Sequence, residues 1–334
     1  MSGTSLRAWM QRGYGEPANV LRLESFAVPA PAPDEVLVRL EAAAIHIADV
    51  RAVQGAEGFR RPLPRTPGYE GVGRVAAVGA EVTGLRVGDR VFPPIGAGTF
   101  AEGLLARATD CVPAPEGDAA QLALLSINPP TARFLLEDFV TLEPGEWVIQ
   151  NAANSSVGRY LIELARQRGL RTLNVVRRES LMSELEALGG DLVLLDGADL
   201  APRVHEAVGG ASLRLGIDAV GGAATTRIAQ CLAEGGQVVN YGSMSREPCQ
   251  MPFELMLWHD VRLCGFSTTR QFARRTPGER RRVLHELASQ VAAGTLRARI
   301  AAVYGLEELP TALQHALETG EAREGKLVLR LQPR

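Results

Sequence analysis

Short runs of alternating apolar and polar positions mark the first 120 or so residues. Val36-Leu37-Val38-Arg39-Leu40, Val72-Gly73-Arg74-Val75 and Arg90-Val91-Phe92 each fit a half-buried strand. Gly and Pro fall densely between them, in AVPAPAPDE, PGYEGVG and VGAEVTGLRVGD, and predict turns. The rhythm changes near Asp118. AAQLALLSINPPTARFLLEDFV reads as two helical pieces interrupted by Pro129-Pro130. Strands are then predicted at Trp147–Gln150, Arg171–Val176, Asp191–Leu195, Leu215–Val220, Gln237–Tyr241 and Val261–Phe266. Helices are predicted between them over 157–168, 179–188, about 200–208 and 223–233. Six strands at this spacing predict an α/β fold with a doubly wound parallel sheet. After about residue 270 come a charged helix (ERRRVLHELASQVAAG), a short strand, a helix near 307–319 and a last strand, Lys326–Leu331.

NAANSSVG, residues 151–158, joins the first of those strands to its helix. The helix has Val157, Leu161, Leu164 and Ala165 on one face, so it can pack on a sheet and leave its N-terminus open. Unpaired N–H groups and the positive dipole end there suit a pyrophosphate. The usual dinucleotide turn has three glycines, and this one has only Gly158. Ala152, Ala153, Ser155 and Ser156 are small enough to replace part of what glycine does. The second strand ends in Arg177-Arg178, about 20 residues past the turn, where the adenosine ribose is met. Arginine there matches a 2′-phosphate, so the expected cofactor is NADPH. The plain alternatives are an empty strand–turn–helix and two solvated arginines.

Composition narrows the classes further. The 334 residues allow two domains, and a net charge of -2 gives no reason to expect nucleic acid or an anionic membrane as partner. No apolar run approaches a membrane span, and MSGTSLRAWMQRGYGE lacks the apolar core of a signal peptide, so a cytoplasmic protein is expected. Cys111, Cys231, Cys249 and Cys264 form no close pair and read as reduced thiols. Of 36 basic residues only Lys326 is lysine. The run 274–282, RRTPGERRR, is the one basic cluster. It reads as a solvated helix start rather than a docking site for a CoA phosphate or an acidic carrier.

PGYEGVGRVAAVGAEVTGLRVGDRVF resembles the chaperonin-10-like domain of the medium-chain dehydrogenase/reductase superfamily. VIQNAANSSVG with GLRTLNVVRR, INPPTA, GGQVVNYGSM and GKLVL are similar to its zinc-independent 2-enoyl thioester reductase branch, with quinone oxidoreductases as near relatives. The resemblance implies a β-rich catalytic domain of residues 1–121 and 270–334, and a Rossmann domain of residues 122–269 that binds NADPH. It also implies a homodimer joined through edge strands, for which Val261–Phe266 is the candidate. Asn154, Ser155, Ser156, Val157 and Gly158 would take the pyrophosphate, and Arg177 and Arg178 the 2′-phosphate. Tyr241, Gly242, Ser243, Met244, Phe266, Ser267 and Thr131 would lie along the ribose and nicotinamide. Lys326 would also reach the cofactor.

The sequence departs from the branch at one place that matters. A tyrosine that serves the thioester oxygen is expected after Gln54-Gly55, and Glu57 stands there instead. An ionised glutamate would repel a developing enolate, so Glu57 could donate only if burial kept it protonated. Tyr69 and His46 are the other candidate catalytic groups. Zinc-dependent members carry a cysteine at the position of His46 and His-Glu at Tyr69-Glu70. A catalytic zinc needs three protein ligands, and too few are offered here to expect a metal. Three functions follow as expectations. The first is NADPH-dependent reduction of an activated C=C bond in an enoyl thioester. The second is reduction of a quinone or enone. The third is a non-catalytic protein that senses NADPH or binds a partner.

Overall fold

The alternating runs near the N-terminus do form strands, and each buries its apolar positions. The computed structural model of the chain describes residues 5–56, 58, 60–318 and 324–331. The elements begin with β1 (Ser5–Gln11), α1 (Pro17–Val20), β2 (Leu21–Ala27), β3 (Glu35–Ile45), α2 (Ile47–Gln54), β4 (Gly71–Val78), β5 (Arg90–Phe92), β6 (Gly103–Arg107), β7 (Val112–Pro113) and α3 (Ala119–Leu122). Next come α4 (Asn128–Glu137), β8 (Trp147–Asn151), α5 (Ser156–Gln167), β9 (Arg171–Val176), α6 (Met182–Ala187), β10 (Leu192–Leu195) and α7 (Leu200–Ala207). β11 (Leu213–Asp218), α8 (Ala223–Gln230), β12 (Gln237–Asn240), α9 (Phe253–His259), β13 (Arg262–Gly265) and α10 (Thr268–Ala273) follow. The chain closes with α11 (Pro277–Ala292), β14 (Ile300–Gly305), α12 (Leu309–His315) and β15 (Lys326–Arg330). Two compact units result, one of residues 1–127 with 277–334, the other of 128–276.

In the first unit a sheet of seven strands runs β14-β15-β3-β4-β5-β7, with β6 also paired to β3. Val36, Val38 and Leu40 point from β3 into a core shared with Leu309 and Leu313 of α12 and Leu327 and Leu329 of β15. In the second unit six parallel strands run β10-β9-β8-β11-β12-β13. That order reverses direction between β8 and β11, and the crevice at such a reversal is where doubly wound sheets take their ligands.

Local reasons account for the departures from the sequence reading. Pro129 and Pro130 do not interrupt a helix; they lie in the first turn of α4. A first-turn residue has no intrahelical acceptor for its N–H, so proline costs nothing there. The helix α5 buries more than one stripe: α4 packs on it, and Ile162 joins Val176, Leu181, Leu185 and Val193 in a second cluster. Four helices, α1, α2, α9 and α10, were not read from the sequence. FELMLWH of α9 has no polar face to mark it, and none of its residues is buried.

The junctions between units fall at 127/128 and 276/277, where the sequence suggested 121/122 and 269/270. α3 stays with the first unit because Gln121 is paired twice with the backbone of Ala298. Its Nε2 donates to the Ala298 carbonyl at 3.0 Å and its Oε1 accepts from the Ala298 N–H at 2.8 Å. α10 stays with the second unit because it is tied to α4. The Thr131 and Thr268 hydroxyls are 2.7 Å apart, and Phe272 meets Phe134 edge-on at 5.2 Å. Arg275 is therefore not a solvated member of its basic run. It donates to Asp138 at 2.6 Å and lies 3.8 Å over the Phe134 ring.

The Gln121 tether can be cut. Gln121→Ala leaves two buried backbone groups of Ala298 without their partner, at about 1–3 kcal/mol each. Urea unfolding of the first unit should lose at least about 2 kcal/mol, and an unchanged midpoint would mean that α3 is held by its apolar contacts alone.

Candidate nucleotide turn and buried charge cluster

The turn after β8 is built without the usual glycines because an alanine adopts the conformation that glycine normally supplies. Ala152 has φ +48°, in the left-handed region that L-residues seldom enter. The Ser155 N–H donates to the Ala152 carbonyl at 2.9 Å and closes the turn. Ser155 is the N-cap of α5, its Oγ accepting from the Gly158 N–H at 3.1 Å. Gly158 cannot be replaced freely, since a Cβ there would lie 2.5 Å from the Ala153 carbonyl oxygen. Asn154 is exposed, Ser155 and Ser156 are half-buried, and Val157 and Gly158 are buried. The first-turn N–H groups of α5 and its positive dipole end are thus presented at the carboxyl edge of the sheet.

Next to this turn, across the β8–β9 ladder, β9 is followed by Arg177, exposed, and Arg178, half-buried. Glu179 follows Arg178 directly and is exposed, while two other acids nearby are engaged elsewhere. Glu184 accepts from Arg159 at 3.0 Å, and Asp196 takes both arms of Arg227 at 2.6 Å. On the other side of the turn, Tyr241 has its hydroxyl buried beside Ser155, and burial pushes that phenol up to about 12. Gly242 packs so closely on Ala219 that a Cβ would meet the carbonyl at 2.6 Å. Ser243 and Met244 are exposed. Phe266 stacks obliquely on Phe139 at 6.2 Å, Ser267 caps α10, and Thr131 reaches the same place through Thr268. The second unit therefore brings together every expected cofactor residue except Lys326.

Lys326 belongs to the first unit, and so do the candidate catalytic groups. Leu327 pairs with Ile45 in the β15–β3 ladder, which carries Lys326 opposite His46. Its Nζ is 3.0 Å from His46 Nδ1, and His46 Nε2 is 2.6 Å from Glu70 Oε1. An ammonium can only donate, so Nδ1 accepts and the ring proton sits on Nε2, donating to Glu70. Asp49 completes the cluster by accepting from the His46 backbone N–H at 2.8 Å. His46, Asp49 and Glu70 are all buried. Burial pushes the Glu70 carboxyl well up, against the pull of Lys326 and of the Ser126 and Ile127 N–H groups. Burial likewise pushes Asp49 up to about 6, against His46. Tyr69 is half-buried, and burial first, then Asp49, raises its hydroxyl above the ordinary phenol value. Glu57 lies outside the described residues.

Glu70 was read from the sequence only as a possible metal ligand beside His46, and Asp49 was not among the candidates. Asp49 had one usable signal, an acid three residues after His46 where a capping box reaches back to the helix start. Among the described residues no group of three or more His, Cys, Asp or Glu could hold a metal ion, and no helix is long and apolar enough to cross a membrane.

Comparison with known proteins places this geometry. Residues 32–116 match the alcohol dehydrogenase GroES-like domain, and residues 188–329 match a family described as zinc-binding dehydrogenase. The mitochondrial enoyl-[acyl-carrier-protein] reductase of Xenopus tropicalis is 35% identical over 98% of this chain and 97% of its own length. The chain belongs to the medium-chain dehydrogenase/reductase superfamily, in the family of these enoyl reductase relatives. The Homo sapiens protein of the same name is 33% identical over 94% of the chain and 86% of its own length. Among solved structures, a mycobacterial quinone oxidoreductase superposes with TM-score 0.84 at 27% identity, covering 97% of this chain and 99% of that one. A complex of Etr1p with NADP and crotonyl-CoA superposes with TM-score 0.87 over 98% of this chain and 100% of that one. At 24% identity that likeness is one of fold.

The buried cluster makes stability depend on pH in a definite direction. A carboxyl that holds its proton more tightly folded than unfolded makes stability fall as pH rises from the ordinary carboxylate range through the raised value. Glu70→Gln has no such proton to lose. Its unfolding free energy should therefore fall less steeply than that of the unaltered protein between about pH 5 and pH 8. Equal slopes would mean that Glu70 titrates as an ordinary surface carboxylate.

Proposed function

We propose that the protein is an NADPH-dependent reductase of an activated C=C bond, with a 2-enoyl thioester as substrate. The observation that carries the reading is 35% identity to an enoyl-[acyl-carrier-protein] reductase along nearly the whole chain. A phosphate-ready turn at the strand-order reversal of the second unit goes with it.

The residues present fit the dinucleotide. The first turn of α5 offers N–H donors to a pyrophosphate, and Ser155 and Ser156 add hydroxyls. Arg177 and Arg178 suit a 2′-phosphate, and they precede the first acid after β9, Glu179. Tyr241–Met244, Phe266, Ser267 and Thr131 suit the ribose and nicotinamide. When bound, NADPH supplies a hydride to the β-carbon of the alkene. The chain must then hold the acceptor in line, neutralise charge on the thioester oxygen and deliver a proton to the α-carbon.

Tyr69 suits the oxygen better than His46. Its hydroxyl lies above the ordinary phenol value, so it is a neutral donor at neutral pH. His46 has both ring nitrogens engaged and acts through Lys326 and Glu70. NADPH consumption with a short and a medium 2-enoyl-CoA, with NADH and a simple quinone as controls, tests the reading. Tyr69→Phe should lower kcat on the thioester about a hundredfold. Turnover of quinone alone would favour the quinone reductase reading. Tight NADPH binding with no acceptor consumed would favour a sensor.

A homodimer is part of the proposal. β13 ends the parallel sheet, paired among the described residues only with β12, and α9 beside it exposes Phe253, Met256, Leu257 and Trp258. An open strand edge flanked by an apolar patch suits a second copy of the chain. Trp258→Glu should shift the sedimentation coefficient from dimer to monomer at micromolar concentration. A monomer before the substitution would remove this part of the proposal.

A further inference from the structure

Asp218 ends β11 and is fully buried. Its carboxylate is surrounded by donors from several loops. Oδ1 accepts from Asn151 Nδ2 at 2.6 Å and from the Val220 and Gly221 N–H groups at 2.8 and 3.1 Å. Oδ2 accepts from the Thr225 hydroxyl at 2.7 Å and from Asn240 Nδ2 at 2.9 Å. Asn151 is the last residue of β8 and Asn240 the last of β12, so one carboxylate joins the carboxyl ends of three adjacent parallel strands. The bond to Asn151 crosses the gap where the strand order reverses. Asn151 is itself held from the other side, its Oδ1 accepting from the Ala219 N–H at 2.8 Å. The residue that follows Asn151 is Ala152, in its left-handed conformation. On the β12 side, the Tyr241 N–H donates to the Asp218 carbonyl at 2.9 Å, and Asn240 Nδ2 also donates to the Gly242 carbonyl at 2.9 Å.

We propose that Asp218 is a positioning residue for the dinucleotide: its carboxylate clamps β8, β11 and β12 and so presets both the 152–155 turn and the 241–244 loop. The inference rests on the reading that this unit binds NADPH. It goes further in assigning the shape of the pyrophosphate cradle to a residue below the ligand. Without the clamp, the turn keeps its own Ser155-to-Ala152 bond but loses the tie that fixes it to β11, and the α5 N–H groups lose their fixed aim. Burial would push the Asp218 carboxyl up, but the bonds from Thr225, Asn151, Asn240 and Gly221 outweigh it and hold the carboxyl below its ordinary value. The clamp is therefore charged throughout the neutral range. It is also distinct from Arg177 and Arg178, which face the other end of the adenosine moiety.

That division gives the test. NADPH, NADH and adenosine 2′-phosphate are titrated separately into the full chain and into Asp218→Asn and Asn151→Ala, with binding read by calorimetry and folding by thermal unfolding. Asp218→Asn puts an amide among donors, and Asn151→Ala removes both bonds of the Asn151 amide across the strand reversal, to Asp218 Oδ1 and from the Ala219 N–H, and leaves the other four donors on Asp218. Both variants should weaken NADPH and NADH by the same factor, about tenfold or more. Adenosine 2′-phosphate should bind within about twofold of the unaltered protein, because it does not need the pyrophosphate turn. Arg177→Ala should do the reverse and change the NADPH-to-NADH ratio. Unchanged dinucleotide affinity in a folded Asn151→Ala overturns the inference and leaves the cofactor reading standing. Equal loss of all three ligands overturns it too, since that is what a merely structural residue would give. If the unaltered protein binds neither dinucleotide, the cofactor reading fails first and the inference falls with it.

Discussion

A single buried carboxylate is the constraint on which the nucleotide-binding unit turns. Parallel strands are fixed to each other along their length by ladder bonds, but at their carboxyl ends they part into separate loops. Asp218 supplies the missing cross-link just past the last ladder pair. Five donors from four segments of the chain meet it. Such a charge is stable in the interior only because it is saturated with hydrogen bonds, and saturation is also what makes it rigid. The strained alanine in the turn persists because its neighbour is held on both sides.

The two units solve different problems with the same materials. In the second, the fully buried carboxylate of Asp218 is satisfied by five hydrogen bonds, and it ties together the loops at the carboxyl ends of three strands. In the first, Asp49, Glu70, His46 and Lys326 crowd into one place with burial opposing both carboxylates. That arrangement favours protons over stability. It leaves the imidazole bridging a cation and a carboxyl, with both ring nitrogens engaged.

Much of the second unit was legible because its strands are apolar runs of the right length. β9 begins and ends where the pattern predicted, and the others shift by one or two residues. Arg177, Arg178 and the serines of the turn were legible from their distance to a strand end. What was not legible is whatever depends on pairing across the sheet. Asn151 and Asp218 are 67 positions apart, and only the adjacency of β8 and β11 brings them together. Lys326 and His46 are 280 apart and meet through the register of β15 on β3. The prolines of α4 misled for a different reason, since the same residue that breaks a helix interior is neutral in its first turn. The α9 helix escaped notice because of its apolar residues only Leu255 packs on the core, and the exposed Phe253, Met256, Leu257 and Trp258 leave no periodicity to detect.

The scarcity of lysine has a practical consequence once its position is known. The chain holds one ε-ammonium, at the mouth of a buried line of ionisable groups. A sample grown with isotope-labelled lysine would carry a single side-chain nitrogen signal. That signal would report on the tautomer of His46 and the proton of Glu70 without any engineered probe. Few interiors offer a spectroscopic window of that kind at a position chosen by the fold itself.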